Sequence, residues 1–241
     1  MSRIHDSLVG RDAGHGPFEP ASRIETGLDG LPDLRVQQEM ERLQSSLDVT
    51  MDPSRRRVVT FLGAVAGEGA TTLSLHYALY LARAAEQPVL LVDADMARSS
   101  RGLSEGMEDQ PGLHDVLRGV IDPAQAVVGT EEERLHFLPA GRELSGYAEL
   151  VHSPRFSGLL DNLGKRYRVV ILDGPPVIAH PEAAIIGAAG DGVVFVIHHR
   201  RTRREVIQKA IQNLQIAKCN ILGSVLNKRV HDIPEFIYQR V

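Results

Sequence analysis

Val58-Val59-Thr60-Phe61-Leu62-Gly63-Ala64-Val65-Ala66-Gly67-Glu68-Gly69-Ala70-Thr71-Thr72 is the stretch that decides the fold of this 241-residue chain. A short β-rich run ends in a glycine-rich turn, and a helix-like stretch over residues 71–85 follows. Strand, turn and helix in that order make an anion-binding loop, because the free amides of the first helical turn point at whatever lies above them. Ala64 to Thr71 nearly reproduce the Gly-x-x-x-x-Gly-Lys-Ser/Thr spacing of a phosphate loop, with Ala70 where the lysine belongs. Gly67 and Gly69, flanking Glu68, let backbone amides approach a polyphosphate, and Thr71, followed by Thr72, can ligate Mg²⁺. What is missing is the ammonium that stabilises charge on the β- and γ-phosphates during transfer. A glycine turn leading into a capped helix would use the same residues, whereas the Gly-x-Gly-x-x-Gly dinucleotide spacing is not met.

Outward from this loop, residues 88–92, 134–138, 167–172, 193–197 and 220–225 read as further strands, about six in all, with helical stretches between most of them. The runs are nearly continuous in Val, Ile and Leu, as parallel strands covered on both faces require. The expected fold is α/β, a doubly wound and mostly parallel sheet, whose ligands bind at the carboxyl ends of the strands. Two runs end there in carboxylates, Leu90-Leu91-Val92-Asp93-Ala94-Asp95 and Val169-Val170-Ile171-Leu172-Asp173-Gly174-Pro175-Pro176. Asp93, Asp95 and Asp173 so placed can hold Mg²⁺ or orient an attacking hydroxyl. Singly each reads as a turn former; together with the loop they point to a nucleotide site. Thr202 to Glu205 fits Thr-x-x-Glu, which predicts Thr202 as the cap of the next helix.

The remaining segments bound the domain. Residues 1–33 mix Gly, Pro, Ser, Asp and Arg without apolar periodicity and read as a disordered arm. Val36, Met40, Leu43 and Leu47 fall four, three and four apart, which predicts an N-terminal helix over 34–50 with the main domain occupying 51–241. A hydrophobic fraction of 43% supports one good core, and a net charge of −4 argues against sequence-independent grip on nucleic acid. A single cysteine and the lack of a signal pattern or a bilayer-length apolar run predict a cytoplasmic chain that reaches a membrane only through a partner.

These motifs resemble the bacterial tyrosine autokinases of capsule and exopolysaccharide synthesis, relatives of the MinD and ParA ATPases. The similarity rests on the Gly-Glu-Gly loop, Leu-Val-Asp-Ala-Asp, Leu-Pro-Ala-Gly at 138–141, Leu-Asp-Gly-Pro-Pro at 172–176 and Val-Leu-Asn at 225–227, and it covers most of the chain. It implies a P-loop NTPase fold with an N-terminal helix, ATP or ADP with Mg²⁺ as cofactor, and a loop of Gly67, Glu68, Gly69, Ala70, Thr71 and Thr72, with Asn227, around the nucleotide. It implies Thr71, Asp93 and Asp173 as the Mg²⁺ set and a membrane polysaccharide co-polymerase as partner. It also implies that Glu39 and Arg42 serve homo-oligomer assembly and that Tyr238 is what remains of a phosphoacceptor cluster. Ala70, Ala97 in place of an arginine after Asp-x-Asp-x, and Ser45 in place of a ring arginine depart from the family. The expectation is a regulator of polysaccharide assembly with weak nucleotide binding and little or no kinase activity; the alternatives are an active autokinase and, less favoured, a positioning ATPase.

Weaker signals take plain readings. His198-His199-Arg200-Arg201-Thr202-Arg203-Arg204 could lend one guanidinium to the loop, although a solvated first helical turn is the simpler account. His5, His15 and His231 show no zinc-ligand spacing. Residues 233–238 read as a docked tail, and Cys219 as an inert thiol.

Overall fold

The computed structural model describes residues 16–20, 22–24, 34–52, 57–84, 87–95, 103–104, 106–107, 109–141 and 146–228. In chain order the elements are α1 (Leu34–Thr50), β1 (Arg57–Gly63), α2 (Ala70–Ala84), β2 (Val89–Asp93), α3 (Leu113–Arg118), α4 (Pro123–Ala126) and β3 (Val128–Gly129). There follow β4 (Leu135–Leu138), α5 (Tyr147–His152), α6 (Pro154–Arg166), β5 (Val169–Asp173), α7 (Glu182–Ala189), β6 (Gly192–His198), α8 (Arg204–Ile216) and β7 (Ile221–Asn227). One seven-stranded sheet runs β3-β4-β2-β5-β1-β6-β7. Every pairing is parallel except β3 with β4. The seventh strand beyond the expected six is the two-residue β3, too short to carry a periodic signal.

Alternation along each strand divides the core. Leu90, Val92, Val170 and Leu172 face a cluster closed by Val116, Phe156, Leu160 and Leu163 from α3 and α6. Val59, Phe61, Leu91 and Ile171 face the other side, under Leu73, Tyr77 and Leu81 of α2. The stripe Val36, Met40, Leu43 and Leu47 of α1 joins that second cluster, as its spacing predicts. Polar contacts fix α1 to α2 and to β1. Tyr77 Oη donates to Gln44 Oε1 at 2.5 Å, and buried Arg57 reaches Asp48 at 2.7 Å while its Nε donates to the Asp52 carbonyl. Arg57 is thus a paired interior cation opening β1.

Two expectations are corrected. Residues 16–20 and 22–24 of the arm are docked: Ser22 and Ile24 exchange backbone hydrogen bonds with Gly129, and Phe18 packs near Tyr167 beneath the Arg166 guanidinium. Backbone pairing and a cation–π contact supply what the arm's composition lacks. Thr202 does not cap a helix either. The residue at the N-cap of α8 is Arg203, with no side-chain cap, and the Thr202 hydroxyl is engaged elsewhere. Among the described residues, no helix is long and apolar enough to cross a membrane.

Candidate nucleotide and magnesium site

Five strands bring their carboxyl ends to one rim. β1 delivers the loop 64–69, β2 and β5 deliver Asp93 and Asp173 in direct register, and β6 and β7 deliver Arg201, Thr202, Asn227 and the residue after it, Lys228. Gly67 and Gly69 hold φ of 84° and 93°, conformations that side chains resist, and a Cβ on Gly69 would lie 2.2 Å from Asn227 Nδ2. The loop is therefore set by backbone geometry at the two glycines and by contacts from distant strands.

Glu68 braces the loop from within. Its carboxylate, almost wholly buried, accepts from the Val65 amide at 3.1 Å and from the Thr202 hydroxyl at 2.5 Å. This is where the Thr202 side chain goes. Asn227 Nδ2 donates to the Glu68 carbonyl at 2.8 Å, and Lys228 Nζ donates to the Gly67 carbonyl at 3.0 Å. Arg201 lies alongside, its Nη1 3.9 Å from the position a Gly67 Cβ would take. Loop amides stay oriented by these side chains without any lysine at position 70.

Asp93 accepts from the Asp95 amide at 3.1 Å and from the Ser104 hydroxyl at 2.6 Å, and Ser104 Oγ in turn accepts from Ala140 N–H at 2.9 Å. Burial pushes the Asp93 carboxyl up to about 7; the Asp95 charge adds to this and the Ser104 hydroxyl opposes it. Asp173 is fully buried and held well above the usual carboxylate range, first by burial and then by the Asp93 charge, with the Thr71 and Ser74 hydroxyls nearby opposing the shift. Neither Asp173 oxygen has a hydrogen-bond partner in hydrogen-bonding geometry among the described residues. Two interior carboxylates side by side repel each other and resist ionisation, and a divalent ion held between them would relieve both. Among the described residues no three His, Cys, Asp or Glu side chains form a complete metal cage. Mg²⁺ is ordinarily held by one or two carboxylates together with phosphate oxygens and water.

The AAA domain family model matches residues 56–228, most of the chain. The tyrosine-protein kinase CpsD of Streptococcus pneumoniae is 30% identical over 182 residues, covering 75% of this chain and 80% of its own length. The chain belongs to the bacterial tyrosine-kinase family. The kinase domain of VpsO superposes with a TM-score of 0.71 at 29% identity, covering 82% of this chain and 97% of that domain. EpsB of Ralstonia nicotianae, also named as a tyrosine-protein kinase, is 30% identical over 197 residues, and there the chain spans only 26% of the relative's length. Membership fixes the P-loop fold, a fold that in general binds nucleotide with Mg²⁺.

Against that family frame, the structure brings together Gly67 through Thr72, Asp93, Asp95, Asp173 and Asn227. It does not bring Glu39 and Arg42 there: they sit on the exposed face of α1, paired with each other at 2.7 Å. Tyr238 and Ala97 lie outside the described residues. Ser45, the departure from the ring motif, turns its hydroxyl back to the Glu41 carbonyl. Two participants escaped the sequence reading, Ser104 and Lys228. Ser104 stands 11 residues from its partner Asp93, beyond any local pattern. Lys228 follows a strand-terminal asparagine, and that position alone was the available signal. Cys219 conforms to the inert reading, since burial raises its thiol and Sγ donates to the Ala184 carbonyl.

Proposed function

We propose that this chain is a Mg²⁺-nucleotide-binding regulator of capsule or exopolysaccharide assembly, built on a tyrosine-kinase domain whose phosphoryl transfer is slow. The observation that carries the reading is the pairing of Asp93 and Asp173 beside Thr71, next to a loop in which Ala70 replaces the lysine. Mg²⁺ bound there would neutralise the buried pair and present the phosphates to the loop amides. Thr71, Asp93 and Asp173 are the residues that would hold it, with Asp95 beside them. The loop amides of Gly67 to Thr72 would bind the polyphosphate. Lack of an ammonium fixed at position 70 removes a preorganised charge from the developing transition state, which is where such charge counts most. A regulator of this kind acts by nucleotide-dependent conformation on a membrane polysaccharide co-polymerase, with Glu39 and Arg42 of exposed α1 as the contact. An active autokinase is the second reading, favoured by the ammonium that Lys228 brings to the loop. Titration calorimetry of ATP with and without Mg²⁺ tests the reading: binding that requires Mg²⁺ and is lost in Asp173→Asn supports it, and heat-silent titration in both conditions contradicts it.

A further inference from the structure

A phosphate loop without its lysine has lost its only covalently local cation, yet an ammonium lies against this loop. Lys228 Nζ donates to the Gly67 carbonyl at 3.0 Å, and Lys228 Cε lies 3.8 Å from the position a Gly69 Cβ would occupy. Gly69 is the residue before Ala70. A cation thus stands at the loop, supplied from position 228 and not from position 70.

The placement is built, not incidental. Lys228 sits in the left-handed region with φ of 53°, a conformation that lysine disfavours. Asn227 holds it there: its Oδ1 accepts from the Lys228 amide at 2.8 Å while its Nδ2 donates to the Glu68 carbonyl at 2.8 Å. One asparagine thus ties the end of β7 to the loop and aims the next side chain back at Gly67. A bare carbonyl is a weak acceptor for an ammonium compared with a phosphate oxygen. Among the described residues no carboxylate forms an ion pair with Lys228. Its charge is left for an anionic ligand.

We infer that Lys228 is the phosphate-binding cation of this loop, engaging the polyphosphate group of a nucleoside di- or triphosphate in place of a lysine at position 70. The inference rests on the nucleotide-binding reading above and adds the group that sustains affinity. Release of Nζ from the Gly67 carbonyl would accompany binding. Arg201, a further cation beside the loop with Nη1 3.9 Å from the position a Gly67 Cβ would take, is secondary, because Lys228 is the one whose hydrogen bond to a loop carbonyl fixes it there.

The test is titration calorimetry of Mg²⁺-ADP and Mg²⁺-ATP on the wild-type chain, Lys228→Asn, Lys228→Arg, Arg201→Ala, and Ala70→Lys placed in the Lys228→Asn background, with thermal unfolding of each apo protein alongside. Asparagine tolerates the left-handed backbone, so Lys228→Asn should melt at or above the wild-type temperature. Its nucleotide affinity should nonetheless fall by about tenfold or more, ~1.4 kcal/mol. Lys228→Arg should retain most of the affinity, Arg201→Ala should lose less than Lys228→Asn, and Ala70→Lys should restore what Lys228→Asn removed. Affinity of Lys228→Asn within about twofold of wild type overturns the inference while leaving the nucleotide reading intact. So does a loss that Ala70→Lys does not restore, or a larger loss in Arg201→Ala. A wild-type chain that binds neither nucleotide overturns both.

Discussion

Asp93→Asn should make the nucleotide-free protein more stable at mildly alkaline pH. Asp93 is buried, and its carboxyl is pushed up to about 7 from an unfolded value of 3.8. The folded state therefore holds a proton more tightly than the unfolded state. The associated stability is fully present below the unfolded value and is lost as pH rises through about 7. About three units at ~1.4 kcal/mol each amount to ~4 kcal/mol forgone near pH 8. Asparagine removes that charge and can still accept from Ser104. It cannot also accept from the Asp95 amide, and leaving that donor unmatched costs about 1–3 kcal/mol. A net gain of ~1–3 kcal/mol remains, roughly 2–12 °C in melting temperature for a domain of this size. Near pH 4 the aspartate is largely protonated, the gain vanishes and the lost hydrogen bond remains. Scanning calorimetry of both proteins at about pH 8 and pH 4 provides the check. A variant no more stable than wild type at pH 8, or a difference independent of pH, would refute the buried-charge reasoning. The same variant should lose the Mg²⁺ dependence of nucleotide binding.

Gly69→Ala should abolish nucleotide binding, because its Cβ would fall 2.2 Å from Asn227 Nδ2 at φ of 93°; undiminished affinity by calorimetry would count against the loop as the phosphate site. Because Ser45 cannot supply the guanidinium of a ring contact and the Arg42–Glu39 pair is satisfied within its own helix, the chain alone should be a monomer or dimer. Light scattering coupled to gel filtration that found a stable octamer insensitive to Arg42→Ala would contradict this. Tyr238 should be unmodified in protein isolated from its host, as one tyrosine lacks the redundancy of a tyrosine-rich tail; mass spectrometry detecting stoichiometric phosphate there, lost in Asp93→Ala, would favour the active-kinase reading.

The sheet was legible because its signals are local. Val58 to Leu62, broken only by Thr60, and Val169 to Leu172 are nearly continuous apolar runs of the kind that doubly covered parallel strands use, and the glycine loop and terminal aspartates sit at fixed offsets from them. The α1 stripe was legible for the same reason, four apolar positions at helical spacing, Met40 and Leu47 buried and Val36 and Leu43 partly so. What stayed hidden depends on contacts between distant strands. Thr202 matched a capping box, yet its hydroxyl goes to Glu68, 134 residues away, because the end of β6 lies over the loop. Arg57 belongs by sequence to a basic run and by structure to a buried pair with Asp48. Lys228 is 161 residues from Gly67, and no pattern near Ala70 reveals it. The arm's composition argues for disorder, and strand-like pairing with Gly129 overrides it at residues 22–24.

The central claim, a competent Mg²⁺-nucleotide site with slow chemistry, is tested most directly by single-turnover phosphoryl transfer from γ-labelled ATP, comparing the wild-type chain with Ala70→Lys at saturating protein. Wild-type turnover should lie at least about 100-fold below the ~1 s⁻¹ at which kinases begin, and Ala70→Lys should accelerate it by about tenfold or more while Asp173→Asn abolishes it. Wild-type transfer to tyrosine at a kinase-like rate, unchanged by Ala70→Lys, would contradict the claim.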